Sequence, residues 1–493
     1  MSFPSSHRAA IIDIGSNSVR LVIFDVLGSS ILPTFNEKVM AGLGEGLMNT
    51  GQLSETGQVA ALAALSRYRA ILKALNLRNF SAVATAAVRA ASDGDVFIRK
   101  ANRILGRPVS ILSGEDEARL SALGVAASFH DPHGVIGDLG GSSLEFKTVG
   151  GEDEKGESLM LGPLSLGEVA GNVKELRKAI KAEIKTSSVL RGAKGRFFAV
   201  GGAWRTFAKI NMEMENYALQ VVQGYQMNAG QVARAAKLCI DALTTPAARA
   251  QVEAVDKRRS RHMHIAAILL EEVLEAGKFD GVTMSSSGLR EGVLTDLTGA
   301  AIADPLLDGV IAFVRLDHTQ IAFGQALHDF IAPAFGPEAD LFGSPSADLR
   351  IERAACMMAD SAGRFHPDHR ALLAYEQALR APYSGVTHAE RAMIAYAVGC
   401  RYQKDFKRPK EYVALTSETQ DARAQQLGSA MRLGAVFSGR SGPILRRARL
   451  SREDGKLCLG VRRTDEAMVS ETVSKRLAQT ANALRLQPEI RIG

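Results

Sequence analysis

The chain has 493 residues, 46% apolar, 23% charged and 6% aromatic, with a formal net charge of +7. That length holds about three or four domains of ordinary size, and the apolar share fills several cores. Four scattered cysteines (Cys239, Cys356, Cys400, Cys458) have neither metal-knuckle spacing nor a disulfide framework, which fits a reducing cytoplasm.

The first apolar stretch, Ala9 to Val26, is interrupted by Asp13, Arg20 and Asp25 and lacks a signal-cleavage pattern, so neither export nor a membrane span is expected. Within it lies Ile12-Asp13-Ile14-Gly15-Ser16-Asn17-Ser18, and the same chemistry returns at Gly137-Asp138-Leu139-Gly140-Gly141-Ser142-Ser143. In each run a strand carries an Asp at its end and turns through glycine, so backbone N–H groups and hydroxyls can surround a phosphate. An Asp cannot ligate phosphate directly; its role would be to hold a divalent cation against the phosphate oxygens. Each run continues into apolar alternation (Leu21–Val26; Leu144–Val149), which implies a duplicated domain with a cleft between its halves. A single strand–Asp–Gly–turn is commonly only a turn.

Between the two runs, Gly42–Leu47 is glycine-rich without a strong preceding strand and reads as a flexible connection. Glu115, Asp116, Glu117 and Arg119 form a polar run that by itself would coat the solvated first turn of a helix. Further on, Phe198–Thr206 passes through Gly201-Gly202 into a segment that starts a helix, whose free N–H groups suit an anion. Trp204, the single tryptophan, reads as core. Ala248–Lys278 carries apolar residues at helical spacing behind a basic entrance (Lys257, Arg258, Arg259, Arg261), and Val282–Leu294 reads as strand, polar turn and helix with Arg290 at the strand end. Pro305, Pro333, Pro337 and Pro345 then mark a boundary zone.

These motifs, in this order, resemble the exopolyphosphatase and guanosine pentaphosphate phosphohydrolase (Ppx/GppA) family of the actin, sugar-kinase and Hsp70 superfold. The markers are residues 13–18, Thr85-Ala86-Ala87-Val88-Arg89, Ser113–Leu120, residues 138–145, Gly201-Gly202 and Gly288–Gly292. The resemblance implies that Glu117 is the catalytic glutamate, which positions or deprotonates the attacking water. It implies that Asp138 and Glu145 bind the metal, expected to be Mg²⁺. Asp13, Gly15, Ser16, Asn17 and Ser18 would form the first phosphate loop, Gly140, Gly141, Ser142 and Ser143 the second, with Gly201 and Gly202 a third turn and Arg89 a clamp on phosphate oxygens. Phosphoanhydride hydrolysis needs little more, since its catalysis is mainly alignment and charge stabilisation.

The chain departs from the family pattern at Ser142, where a third glycine is usual, and at Ala203-Trp204-Arg205. In the C-terminal half, residues 349–403 have the helical pattern of an HD phosphohydrolase domain, but Ala359-Asp360 stands where a working site needs His-Asp, so the domain is expected to be degenerate.

The expected fold is α/β: two actin-like (ribonuclease H-like) halves at 1–122 and 123–302, a mostly helical HD-like domain at 303–436 and a small basic α/β domain at 437–493. Residues 440–493 hold twelve Lys/Arg against six Asp/Glu. Arg446, Arg447, Arg449 and Arg452, before a hairpin-like strand, would line a polyanion track with Lys404, Lys407, Arg408 and Lys410. The low aromatic share and the lack of nucleic-acid-binding motifs argue against a specific nucleic-acid partner. The leading expectation is a cytoplasmic, homodimeric, Mg²⁺-dependent exopolyphosphatase acting on inorganic polyphosphate. The alternatives are a guanosine pentaphosphate (pppGpp) phosphohydrolase and a non-catalytic polyphosphate or alarmone sensor.

Overall fold

In the first strand, β1 (His7–Ile14), Ala10, Ile12 and Ile14 enter one core while Ala9 and Ile11 enter another. Burial on both faces is the mark of a central strand in an α/β layer. The computed structural model describes residues 7–28, 30–151, 155–299, 304–314, 318–335 and 341–493. The chain forms two units, divided between Pro305 and Leu306.

The first unit holds two sheets. One contains β1, β2 (Ser18–Leu27), β3 (Ser30–Met40), β4 (Phe80–Ala84) and β5 (Ser110–Ile111) in the order β3-β2-β1-β4-β5. The other contains β6 (Gly134–Leu139), β7 (Leu144–Val149), β8 (Gly156–Leu159), β9 (Arg196–Gly201), β10 (Gln226–Asn228) and β11 (Gly281–Met284) in the order β10-β11-β9-β6-β7-β8. In each, an antiparallel three-strand meander is followed by two strands parallel to its first member, and β10 adds an antiparallel edge to the second sheet. The duplication expected from the repeated loops is thus a duplication of topology.

Each half lends a helix to the other. The helix Gly114–Ala126 follows the first sheet yet packs on β6, β7 and β8, while Leu289–Thr298 follows the second sheet and packs on β1. Leu120, Val293 and Leu294 complete the core under β1, β2 and β4, and Ala122 and Val125 complete that under Ile136, Phe198 and Val200. The two helices cross where neither has a side chain: a Cβ on Gly292 would lie 1.7 Å from the Leu120 carbonyl, and one on Gly124 2.1 Å from that of Gly288.

The Gly114–Ala126 helix runs through the 122/123 division drawn from sequence. The basic entrance at 257–262 is a break between the helices Pro246–Asp256 and Met263–Gly277. There the Asp256 carboxylate accepts the N–H groups of Arg258 and Arg259 and turns the chain.

The second unit packs the helices His318–Phe335, Pro345–Met357, Arg370–Arg380, His388–Tyr402 and Glu418–Ser438 around buried residues such as Tyr375, Ala397 and Leu427. A sheet of β12 (Ala448–Glu453), β13 (Lys456–Val461) and β14 (Gln487–Ile492) follows, with β13 and β14 parallel and joined through the helix Glu471–Ala483. The expected hairpin is β12–β13. Pro305 and Pro345 open helices, where a missing N–H costs nothing, and Pro333 lies inside His318–Phe335; Pro337 falls outside the described residues. Arg408 does not join a surface track: it is buried, donating to the Thr416 hydroxyl and the Asp421 carboxylate.

Candidate active site

The two repeated loops close the same turn. Gly15 N–H donates to Ser18 O at 3.0 Å, and Gly140 N–H to Ser143 O at 2.9 Å. A second segment then lies across each: Gly42 and Gly44 donate to Asn17 O and Ser16 O at 3.1 and 2.8 Å, and Gly162 and Leu164 to Ser142 O and Gly141 O at 3.0 and 2.9 Å. Gly42–Leu47 is therefore a wall of the site rather than the flexible connection expected, pinned by its backbone and by buried Leu43. The loops meet face to face. Ser142 Oγ donates to Ser16 Oγ at 3.2 Å, and a Cβ on Gly141 would lie 3.2 Å from the Ser16 Cβ. Ser142, the departure from three glycines, thus ties one loop to the other.

Register places the carboxylates. Asp138 on β6 is directly opposite Glu145 on β7, and Asp13 on β1 is opposite Arg20 on β2. Directly opposed side chains share a face with Cβ atoms about 5 Å apart. Ser121 Oγ donates to Asp138 Oδ2 at 2.5 Å, Ser158 Oγ to Glu145 Oε1 at 3.0 Å, and Arg290 to Asp13 Oδ2 at 2.9 Å.

Glu117 stands in the first turn of the Gly114–Ala126 helix, which Ser113 caps by accepting the Asp116 N–H at 3.0 Å. Glu115 is exposed and Asp116 half-buried, whereas Glu117 is 7% exposed. The solvated-face reading thus fails for Glu117. Arg89, expected as a phosphate clamp, donates to Glu117 Oε1 and to Leu112 O, both at 2.5 Å. Burial pushes Glu117 up to about 7 against the pull of Arg89, and Asp138 and Asp13 push it the same way. Glu145 is pushed up to about 8 by burial and by Glu117, and Asp138 is raised by burial.

Opposing these carboxylates is a crowd of cations. Lys38 on β3 is directly opposite Arg20, so Asp13, Arg20 and Lys38 form a row across three strands. Burial, then Arg259, Arg20, Arg205 and Arg290, lower Lys38 to about 8. Arg205 is lowered to about 10 by burial and by Arg290 and Arg20. Gly201 needs glycine, with φ +114° and a would-be Cβ 2.5 Å from Leu139 O; at Gly202 the same Cβ would meet the Arg259 guanidinium at 2.7 Å. The third turn thus carries Arg205 and Arg259 beside it. Trp204 is core, fully buried with its indole N–H on Ala266 O at 2.9 Å.

The profile of the Ppx/GppA phosphatase family matches residues 22–300, and that of the exopolyphosphatase C-terminal region matches residues 339–487. The chain belongs to the Ppx/GppA phosphatase family. A guanosine-5'-triphosphate,3'-diphosphate pyrophosphatase from Aliivibrio fischeri (strain MJ11) is 27% identical over 300 residues, 58% of this chain and 58% of that protein. The chain thus matches little more than half the length of this curated relative. The Ppx/GppA family member of Aquifex aeolicus superposes with a TM-score of 0.52 at 26% identity, over 60% of this chain and 98% of that one. An exopolyphosphatase from Cytophaga hutchinsonii does so with a TM-score of 0.53 at 24% identity, over 60% and 100%. The duplicated sheets with exchanged helices are the actin-like architecture expected of a Ppx/GppA chain.

No group of three or more His, Cys, Asp or Glu among the described residues forms a ready metal cage. A small hard cation needs none: it is held by one or two carboxylates and completed by phosphate oxygens and water. Asp138 and Glu145, oxygen donors opposed across one ladder and both raised by burial, fit such an ion.

Sequence reading gave no role in this Ppx/GppA site to Arg20, Lys38, Arg205 or Arg259, and noted Arg290 only as lying at a strand end. One signal for Arg20 was present: it holds the place after the first loop that Glu145 holds after the second.

Proposed function

We propose that the chain is an exopolyphosphatase that hydrolyses the terminal phosphoanhydride of inorganic polyphosphate and releases orthophosphate. The observation that carries this reading is the juxtaposition of a buried carboxylate, Glu117, with two facing phosphate loops and a cluster of cations. Arg20 and Lys38 are like charges directly opposed, an arrangement that is destabilising until an anion lies between or above them. A chain of phosphates carries one charge or more per unit and suits a cluster of that size.

In this mechanism the backbone N–H groups and hydroxyls of Gly15–Ser18 and Gly140–Ser143 hold the terminal phosphoryl group. Glu117 accepts a proton from the attacking water at a carboxylate oxygen, and its raised pKa matches a general base working near neutral pH. Arg89, on the same carboxylate, is placed to orient it and to meet the phosphoryl oxygens. A divalent cation held by Asp138 and Glu145, proposed to be Mg²⁺, would neutralise charge on the phosphate oxygens and the leaving group. The bond from phosphorus to the bridging oxygen breaks as the one to the water oxygen forms, giving orthophosphate and a chain shorter by one unit.

The second reading, hydrolysis of guanosine pentaphosphate in the same cleft, is favoured by the activity for which the Aliivibrio fischeri relative is named. The match of residues 339–487 to the exopolyphosphatase C-terminal region supports the first. Four free, buried cysteines fit a reducing compartment, and no helix among the described residues is long and apolar enough to cross a membrane. Glu117→Gln tests the catalytic assignment: orthophosphate release is expected to be lost with polyphosphate binding retained, and unchanged release would remove Glu117 from the mechanism.

A further inference from the structure

A serine or threonine inside a helix often returns its hydroxyl proton to the carbonyl four residues earlier, and Ser66, Thr295, Ser438 and Thr480 do so here at 2.8–3.0 Å. Ser121 does not. It is 2% exposed in the middle of the Gly114–Ala126 helix and donates across to Asp138 Oδ2 at 2.5 Å. A hydroxyl has one proton to give, so Ser121 has left its own backbone for a carboxylate of the cleft.

Its surroundings hold that hydroxyl still. Ser121 lies between Leu120 and Gly124, where the backbone of its helix meets the crossing helix Leu289–Thr298. The Gly288 turn, on which Gly124 packs, closes on the same carboxylate oxygen: a Cβ there would lie 3.4 Å from Asp138 Oδ2. Glu117 stands one turn earlier on the same helix face, so one rigid element carries both the proposed general base and the group that holds Asp138. The two carboxylates of the ladder are not supported alike. Glu145 receives Ser158 Oγ at 3.0 Å and the Ser143 hydroxyl besides, and Ser158 is exposed, so water can stand in for it. Asp138 receives the Ser121 hydroxyl alone among the described residues, and from a buried position.

We propose that Ser121 is a positioning residue for the cation site: it fixes the rotation of the Asp138 carboxylate through Oδ2, leaves Oδ1 to the divalent ion, and ties that orientation to the helix that carries Glu117. A partner that orients a metal ligand in this way changes metal affinity by about ten- to a hundredfold when it is removed. The inference rests on the reading of Asp138 as a cation ligand and does not depend on which phosphate-bearing substrate the cleft takes.

The test is uptake of Mn²⁺ by the full chain without substrate, read by electron paramagnetic resonance as loss of the free-ion signal. Ser121→Ala should weaken uptake about ten- to a hundredfold. Ser121→Cys, whose thiol donates weakly, should weaken it less, as should Ser158→Ala. In orthophosphate release the deficit of Ser121→Ala should shrink as Mg²⁺ is raised, with KM for the phosphate substrate unchanged. A merely structural serine would lower the melting temperature and leave Mn²⁺ affinity where it was. If a thermal melt shows that Ser121→Ala is unfolded, Ser121→Cys carries the comparison. Asp138→Asn separates the two ways of failing. If the parent takes up no Mn²⁺, or Asp138→Asn takes it up as the parent does, the reading of Asp138 as a ligand falls and the inference with it. If Asp138→Asn loses Mn²⁺ while the Ser121 variants keep the parent's affinity, the positioning role alone is overturned.

Discussion

Glu117 and its neighbours Glu115 and Asp116 are chemically alike and differ only in what the first turn of their helix does with them. The turn aims Glu117 inward, against Arg89, and the others outward. Removing its negative charge should therefore cost catalysis and not folding. We expect Glu117→Gln to lower the rate of orthophosphate release by at least about 10²-fold, the lower bound for a positioned general base, with an unchanged melting temperature at pH 6, where the parent's Glu117 is itself mostly protonated. Glu117 and Glu145 also link stability to pH. Their pKa values in the folded protein, about 7 and about 8, lie above the ordinary 4.5, so between those limits the folded state holds protons that the unfolded chain has released. Stability is then present at low pH and is lost as pH rises through 7 and 8, at up to about 1.4 kcal/mol per pH unit for each group. Metal-free protein should melt at a lower temperature at pH 8.5 than at pH 6, and Mg²⁺ or Glu145→Gln should narrow the gap; a melting temperature independent of pH would contradict this.

The elements that carry the site are two hairpins of one design, β1–β2 and β6–β7, and two helices that cross between the sheets. The hairpins were legible in sequence because Asp, Gly and Ser recur in the same order within apolar alternation. The covering segments were not: Gly42–Gly44 and Gly162–Leu164 share little sequence and act through their backbone N–H groups, which no side-chain pattern reports. The helix crossing was likewise hidden, since Gly124 and Gly292 look like ordinary helix-weakening glycines until the two helices are superposed on them. Gly292→Ala should drive a methyl group into the Leu120 carbonyl. The expected cost is about 1–3 kcal/mol or more, read as a lower midpoint in urea denaturation, and a stability equal to that of the parent would show that the crossing is looser than described.

At the scale of the whole molecule, charge is distributed differently from what composition suggested. Sequence drew the eye to the basic C-terminal residues, where the excess is densest, yet Arg408 is spent on an internal ion pair with Asp421 and Arg447 on one with Asp465. The cations beside the two repeated glycine loops come instead from β2, β3, the third turn, the break before Met263 and the helix after β11. Residues so scattered gather only through the fold. If they bind the phosphate chain, affinity for polyphosphate should fall steeply with salt, and Arg20→Ala should both weaken binding and flatten that salt dependence by about one charge. A salt slope unchanged in Arg20→Ala would place the chain elsewhere.

The measurement closest to the central claim is orthophosphate release by the purified protein with Mg²⁺, from long-chain polyphosphate and from guanosine pentaphosphate at matched concentrations of chain ends. Faster release from polyphosphate, abolished by Glu117→Gln, is the predicted result. Preference for the nucleotide would move the substrate to guanosine pentaphosphate, and no release from either would contradict a hydrolytic role for the cleft.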